Sequence, residues 1–403
     1  MVVNSLYYNQ DDTDGTISID GLIDDDTILK SLQNIYQQAN PGETIDPDLF
    51  RAVWNKINQA ADKGYGAPSP TSDKFDFYNQ LKYNDAVFSA FKVHRAQQDM
   101  AAQLLDDKGN LKAFKQWLND VRPIASHQFG PWLRTEYDTA VIRAHQAADW
   151  QQFEREKDVL PNLEWIPSTS VHPGEDHIVF WGTVMPIDDP FWDEHRPGDR
   201  WNCKCSLQQT EKESTGVPDD IKPIDRPQPG LDNNPGKDAK LFGDSHPYIS
   251  ECKGKKTAVL FQCDGLTSKV SRQEVRKSFK SYLESHSSIL HMENGPIKDI
   301  PVTYQGVKSI TGKPHKYNYM KNMSCYYLPA IAKEAKYLGY SDDVKSAKAN
   351  GHGDVLKWHY YEFQLNDEPS YLTVKETEKG TFVIHSIQDA DHFDKKKIKS
   401  LRK

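Results

Sequence analysis

Residues 211–240, EKESTGVPDDIKPIDRPQPGLDNNPGKDAK, divide the chain. Five prolines stand among Asp, Asn and Gly with almost no apolar cluster, the composition of an extended linker. Charge changes sign at the same place. Residues 1–240 carry 24 Lys and Arg against 39 Asp and Glu, a net −15; residues 241–403 carry 26 against 19, a net +7. Two independent signals therefore set a domain break, and 403 residues are too many for one core. The expected division is a flexible lead-in over 1–26, a helical domain over 27–210, a linker over 211–240 and a basic α+β domain over 241–403.

On the N-terminal side, apolar residues repeat at helical spacing. Ile28, Leu29, Leu32 and Ile35 form one face, stopped at Asn40-Pro41-Gly42. Asp46-Pro47 opens a second helix, with Leu49, Phe50, Val53, Trp54 and Ile57 on one side. A third runs from Phe77 toward Leu104. A fourth, through Trp117 and Val121, is expected to end before Pro123, and a long fifth follows Pro131. Residues 160–210 hold six prolines among apolar fragments and predict an irregular, loop-rich segment with short strands.

On the C-terminal side the pattern is mixed. Ala258–Phe261 and Pro301–Tyr304 predict short strands; Val270–Leu283 and Tyr326–Leu338 predict helices. Leu356–Leu365, Tyr371–Glu376 and Thr381–Ile387 alternate as strands with hairpin-length connections. The fold class expected is multidomain: a mainly α-helical N-terminal part with an irregular Cys-containing segment, then an α+β domain with an antiparallel sheet.

Several function classes are excluded. No run of about 18 apolar residues is present, so no membrane-spanning helix is expected. The opening MVVNSLYYNQDD lacks a basic n-region and an apolar stretch, so no secretory leader is expected. Five scattered cysteines predict thiols rather than a disulfide scaffold. No Gly-x-x-x-x-Gly-Lys-Ser/Thr, Gly-x-Ser-x-Gly or His-Glu-x-x-His is present, which removes packaging ATPase, serine hydrolase and zincin readings.

Residues 177–205 read HIVFWGTVMPIDDPFWDEHRPGDRWNCKC. The order His177, Gly182-x-Val184-x-Pro186, Asp189-Pro190-Phe191-Trp192, Pro197-Gly198 and Asn202-Cys203-Lys204-Cys205, with Arg134-Thr135-Glu136 upstream, resembles the phage Mu F-like (SPP1-type) minor head protein domain. The resemblance covers about residues 80–210. The family's Asp-x-x-x-Arg before the His is replaced by Ser170–Asp176, so no role is carried onto an Arg there. The resemblance implies a virion component in the capsid interior, portal or capsid proteins as partners, and no membrane. Read as chemistry, Cys203 and Cys205 with His177, His172 or His195 can complete a tetrahedral zinc site. The alternative is a turn buttressed by buried thiols. Either requires the thiols to be buried within ~4–6 Å of a His.

The phrases Tyr360-Tyr361-Glu362 and Pro369-Ser370-Tyr371-Leu372-Thr373-Val374-Lys375, behind a helix and in a three-strand order, resemble the phage barnase/EndoU/colicin/RelE-like nuclease domains. That resemblance implies metal-independent RNA cleavage, of tRNA among other targets, with no cofactor required, in the host cytoplasm. Such cleavage needs a base, an acid and a cation. Strand alternation puts Trp358, Tyr360 and Glu362 on one face with Lys375, and leaves His385 unplaced. The expected set is Lys375 as cation, Glu362 and His385 as base and acid, and His359 as substitute; His315, Lys316 and Ser386 are expected to touch nucleic acid. The alternatives are a structural adaptor whose C-terminal domain only binds RNA or packaged DNA, and a cytosolic zinc enzyme centred on His177, Cys203 and Cys205.

Overall fold

In the computed structural model, side-chain caps set where the first helices begin. Asp24 opens α1 (Asp25–Gln37) by accepting the Thr27 N–H at 2.8 Å. Asp46 opens α2 (Pro47–Tyr65), accepting from the N–H groups of Asp48 and Leu49 with Pro47 at the first position; Gly66, at φ +94°, ends it. The apolar faces read from the sequence, including Ile28, Leu32 and Ile35 on α1 and Leu49, Val53 and Ile57 on α2, are buried. Then come α3 (Phe75–Ala101), α4 (Phe114–Phe129) and α5 (Pro131–Glu156). Gly64 lets α2 lie directly on α5: a Cβ there would stand 2.3 Å from the Val141 carbonyl oxygen.

The structure describes residues 21–38, 40–69, 72–171, 175–285, 289–342, 354–366, 368–393 and 401. Most of the expected lead-in, and all but Leu401 of the basic stretch DKKKIKSLRK at 394–403, lies outside them. Two compact units are formed, one from 1–68 with 84–263 and one from 69–83 with 264–403.

In the first unit α4 does not stop before Pro123 but runs through it. Trp117, Leu118, Val121, Ala125 and Phe129 continue one buried face across the proline, while Asn119, whose carbonyl loses its partner, is exposed to water. After α5, strands β1 (Asn162–Ile166), β2 (Val184–Pro186) and β3 (Ser206–Thr210) make an antiparallel sheet in the order β2-β1-β3. The short helix α6 (Phe191–Glu194) lies between the last two. Trp150, Leu163, Trp165, Phe180, Phe191 and Trp192 pack with Cys203 and Cys205 into a local core. The segment is loop-rich with short strands, as its prolines predicted.

The expected linker is not one throughout. Residues 211–220 are largely exposed, but Asp225, Leu231, Asn234, Pro235 and Gly236 are buried. A short helix, α7 (Pro235–Asp238), puts Gly236 so close to Trp150 that a Cβ would approach to 2.3 Å. The cause is backbone bonding. Arg143 on α5 and Arg196 both donate to the carbonyls of Leu231 and Asn233. The segment is held by its own carbonyls, which composition does not display. A further turn of helix, α8 (Pro247–Ser250), follows, and the division between units falls after Cys263, not at residue 240.

A long helix, α9 (Lys256–Ser285), absorbs Ala258–Phe261, where a strand was expected. Val259 and Cys263 are buried while Phe261 is exposed, a helical period that four apolar residues alone do not reveal. The second unit continues with β4 (Ile289–His291), β5 (Asp299–Pro301), α10 (Tyr304–Gly312), α11 (Asn318–Met323) and α12 (Leu328–Glu334). Thr303 caps α10 rather than extending a strand. The helix expected to reach Leu338 ends at Glu334, and the chain returns as β6 (Lys336–Ser341). That strand edges an antiparallel sheet in the order β6-β7-β8-β9, with β7 (Val355–Leu365), β8 (Glu368–Thr377) and β9 (Phe382–Asp389). The three-stranded meander read from alternation is present, with one more strand on its edge.

Candidate functional site

His177 sits in a short 3₁₀ helix, Glu175–Phe180, and the two thiols lie in the loop entering β3. Two residues in left-handed backbone, Gly198 at φ +83° and Asn202 at φ +58°, fold that loop back toward the helix. The Asn202 N–H is tied to Thr139 Oγ1 at 3.1 Å. His177 Nδ1 then lies 3.2 Å from Cys203 Sγ and 3.7 Å from Cys205 Sγ, and all three residues are buried. Its other nitrogen, Nε2, lies 2.7 Å from Asp199 Oδ1, and Asp199 is fully buried.

Burial alone would lower the His177 pKa. The Asp199 carboxylate and the Cys205 sulfur outweigh it and raise the imidazole to about 9. Hydrogen bonding from Cys203, then from His177 and Trp165, brings the Cys205 thiol down to about 4 against its burial; Cys203 is pushed up, first by that same bond and then by burial. Among the described residues, His177, Cys203 and Cys205 form the one group of His, Cys, Asp or Glu donors converging as a metal site would need. His195 instead packs its ring against Phe180 and Phe191, and His172 lies outside the described residues. Asp199 and Trp165 were missed by sequence reasoning. The only trace of Asp199 was its place in Pro197-Gly198-Asp199-Arg200, where no periodicity marks it.

The upstream Glu136 of Arg134-Thr135-Glu136 is also buried. It pairs with Lys92 at 3.0 Å and accepts from the Tyr248 hydroxyl at 3.0 Å.

On the C-terminal sheet, Trp358, Tyr360 and Glu362 oppose Lys375, Thr373 and Tyr371, so the expected face is formed. The expected catalytic set is not brought together on it. Glu362 is opposite Tyr371 and Lys375 opposite Trp358, four positions apart and about 13 Å along the strands. Lys375 Nζ is held by Asp354 at 3.0 Å. His359 lies on the other face, buried between the Tyr337 hydroxyl at 3.0 Å and Glu376 Oε2 at 2.9 Å. It cannot substitute for a group on the first face.

His385 does belong to the first face. A register irregularity between Val374/Ile384 and Thr373/Ser386 leaves His385 in a bulge, its ring 4.7 Å from that of Trp358. A cleft of about 230 Å³ there is lined by Lys313, Trp358, Thr373, His385, Ser386 and His392, among others. Lys313 and His392 are additions to the expected set. His392 Nδ1 lies 2.9 Å from Asp389 Oδ2. Burial would raise the Asp389 carboxyl, but bonds from His392 and from backbone N–H groups hold it at about 2.

His315 is not a surface contact for phosphate. It is buried, accepts the Tyr317 N–H at Nδ1 (2.9 Å), and so carries its proton on Nε2, donated to Ser370 Oγ at 3.1 Å. Burial pulls it down to about 4, which keeps it neutral. Lys316 is exposed and pairs with Glu368 at 2.8 Å.

Comparison with known proteins gives two separate matches. Residues 269–385 match the family described as large polyvalent protein-associated domain 3. Residues 98–208 match the family described as phage Mu protein F like protein. The Mu-like prophage FluMu F protein of Haemophilus influenzae is 28% identical over 76 residues, 19% of this chain. The match spans 18% of that relative's length. No solved structure gives a significant match. Over residues 98–208 the chain is therefore similar to the phage Mu F-like family, and that stretch holds His177, Asp199, Cys203 and Cys205 together with Glu136.

Proposed function

We propose that this chain is a phage or prophage head morphogenesis protein, a minor virion component that works with portal or capsid proteins from the capsid interior. The observation that carries the reading is the Mu F-like match over 98–208, which coincides with a folded segment built around the His177–Cys203–Cys205 cluster. Its test is the composition of particles from the phage or prophage that encodes it. Mass spectrometry of purified particles is expected to find the chain at low copy number, and its deletion to lower the yield of infectious particles at least tenfold. Particles that lack the chain, with yield unchanged on deletion, refute the role.

The sheet cleft favours a second, finer reading: a metal-independent endoribonuclease in the second unit. His385 takes the 2′-hydroxyl proton as that oxygen attacks phosphorus, the P–O5′ bond breaks, and protonated His392 returns a proton to the leaving oxygen. Lys313 steadies the phosphorane and Trp358 offers a stacking face to a base. The products are a 2′,3′-cyclic phosphate and a 5′-hydroxyl, with no proton gained or lost overall. The full chain is expected to cleave labelled single-stranded RNA without added divalent metal. His392→Ala and His385→Ala are each expected to slow it about 10²-fold or more. No cleavage, or cleavage indifferent to both substitutions, leaves the C-terminal unit as an RNA- or DNA-binding adaptor without chemistry.

A further inference from the structure

We propose that His177 Nδ1, Cys203 Sγ and Cys205 Sγ bind one zinc ion, with Asp199 as the positioning residue behind the histidine and a small non-protein ligand, such as water, completing the tetrahedron. The distances carry this first. Zinc bonds of ~2.3 Å to sulfur and ~2.0–2.1 Å to nitrogen, at a tetrahedral angle, separate the two donors by about 3.6 Å. The two sulfur-to-nitrogen distances are 3.2 and 3.7 Å, on either side of that value. Without a metal, Nδ1 can make one good in-plane hydrogen bond, whether it carries a proton or a lone pair, yet two sulfurs converge on it. A metal satisfies all three donors at once.

The surroundings agree. Asp199 at 2.7 Å holds a proton on Nε2, leaving Nδ1 free to ligate; this is the carboxylate–histidine arrangement that orients zinc ligands. The Trp165 ring packs edge-on to that of His177 at 5.2 Å, and its buried indole N–H has no oxygen or nitrogen partner. Two thiolates neutralise Zn²⁺, so the buried centre carries no net charge, and the nearby Asp199 is offset by Arg200 at 3.6 Å. The ion would tie the 3₁₀ helix to the loop entering β3 in a region of three short strands, where a staple gains most. Burial of all three ligands behind Phe180 and Trp192 points to this structural use rather than to substrate chemistry.

The full chain, purified after growth with zinc, is expected to hold about one zinc equivalent, released to a chromophoric chelator. Co²⁺ replacing it is expected to give thiolate-to-metal charge transfer in the near ultraviolet and the intense visible bands of a four-coordinate site. A Cys252→Ser, Cys263→Ser, Cys325→Ser chain should keep both signals; Cys203→Ser or Cys205→Ser should lose them. Asp199→Asn is expected to retain binding with zinc affinity lower by about 10–100-fold. The proposal fails if the folded wild-type chain holds under a tenth of an equivalent and Co²⁺ adds no charge-transfer band. It fails equally if the triple variant abolishes binding. An Asp199→Asn chain with unchanged zinc affinity removes the positioning role. Should Cys205 instead alkylate rapidly at a rate zinc does not change, the cluster is a thiolate–imidazolium pair. The metal readings on wild-type protein stand even if a cysteine variant does not fold.

Discussion

Replacing Arg143 with methionine is expected to cost the first unit about 3–5 kcal/mol of unfolding free energy. The guanidinium is fully buried on α5 and acts as a five-donor clip. Nε donates to the Leu241 carbonyl at 2.6 Å; Nη1 donates to Gly198 at 2.6 Å and Leu231 at 3.2 Å; Nη2 reaches the Asn233 carbonyl at 2.9 Å and its side-chain oxygen at 2.7 Å. Burial, and then the charge of Arg196, depress its pKa to about 9, yet it stays protonated at neutral pH. Methionine fills much of the volume but leaves the carbonyls of Gly198 and Leu241 without this donor. Arg143→Lys should rescue less than half of the loss, because one ammonium cannot span carbonyls arrayed around a planar fork. Eight of the nine tryptophans lie in the first unit, so denaturant unfolding followed by indole fluorescence reads it selectively. A lysine variant as stable as wild type would show that charge alone, not fork geometry, holds residues 231–241.

The same arginine shows what sequence could and could not disclose. Helices with side-chain caps and one apolar face, such as the one from Pro47 to Tyr65, were legible because cap, period and terminal glycine agree. The meander was legible because alternation and turn residues coincide; Asn366 adopts φ +51° between β7 and β8 as a tight hairpin needs. The packing of residues 225–240 was not. Its bonding groups are main-chain carbonyls, and its Pro, Asp and Asn content looks the same whether water or an arginine donates to them. Strand β6 was hidden because Lys336–Ser341 follows α12 without a breaking residue until Gly339, which marks a register irregularity and not a helix end.

Of the His177–Cys203–Cys205 cluster, the sequence disclosed its three members but not Asp199, since a carboxylate that acts through a histidine carries no spacing rule. Of the sheet cleft it disclosed His385 and Ser386. The bulge at His385 is what defeats strict parity on β9, and His392 lies beyond the strand, where alternation has nothing to say. Glu362 and Lys375 do share a face, as parity required, but parity fixes only the side of a sheet. Distance along it depends on register, which here puts them opposite different residues.

Lys92→Met is expected to be as costly as the loss of Arg143, about 3–5 kcal/mol, and a second substitution should recover most of it. Lys92 is wholly buried with its ammonium 3.0 Å from Glu136, 3.3 Å from Gln128 and 3.2 Å from the Tyr248 hydroxyl. Burial lowers the lysine and raises the glutamate, each opposed by the attraction between them. Removing the lysine alone leaves a buried carboxylate with only the Tyr248 hydroxyl to meet it. Lys92→Met with Glu136→Leu removes both charges and their desolvation, so the double variant should lie within about 1–2 kcal/mol of wild type. The pH dependence gives a second reading. In Lys92→Met the Glu136 pKa loses both the charge attraction and the hydrogen bond of Lys92 that lowered it, and rises further above its unfolded value. A group raised in the folded state binds more protons folded than unfolded across that window, so stability falls as pH rises through it. The single variant should therefore be least impaired near pH 4.5 and progressively worse toward pH 7, whereas the double variant should show no such slope from this site. Equal destabilisation of single and double variants, with parallel pH profiles, would mean that packing and not charge pairing holds α3 to α5.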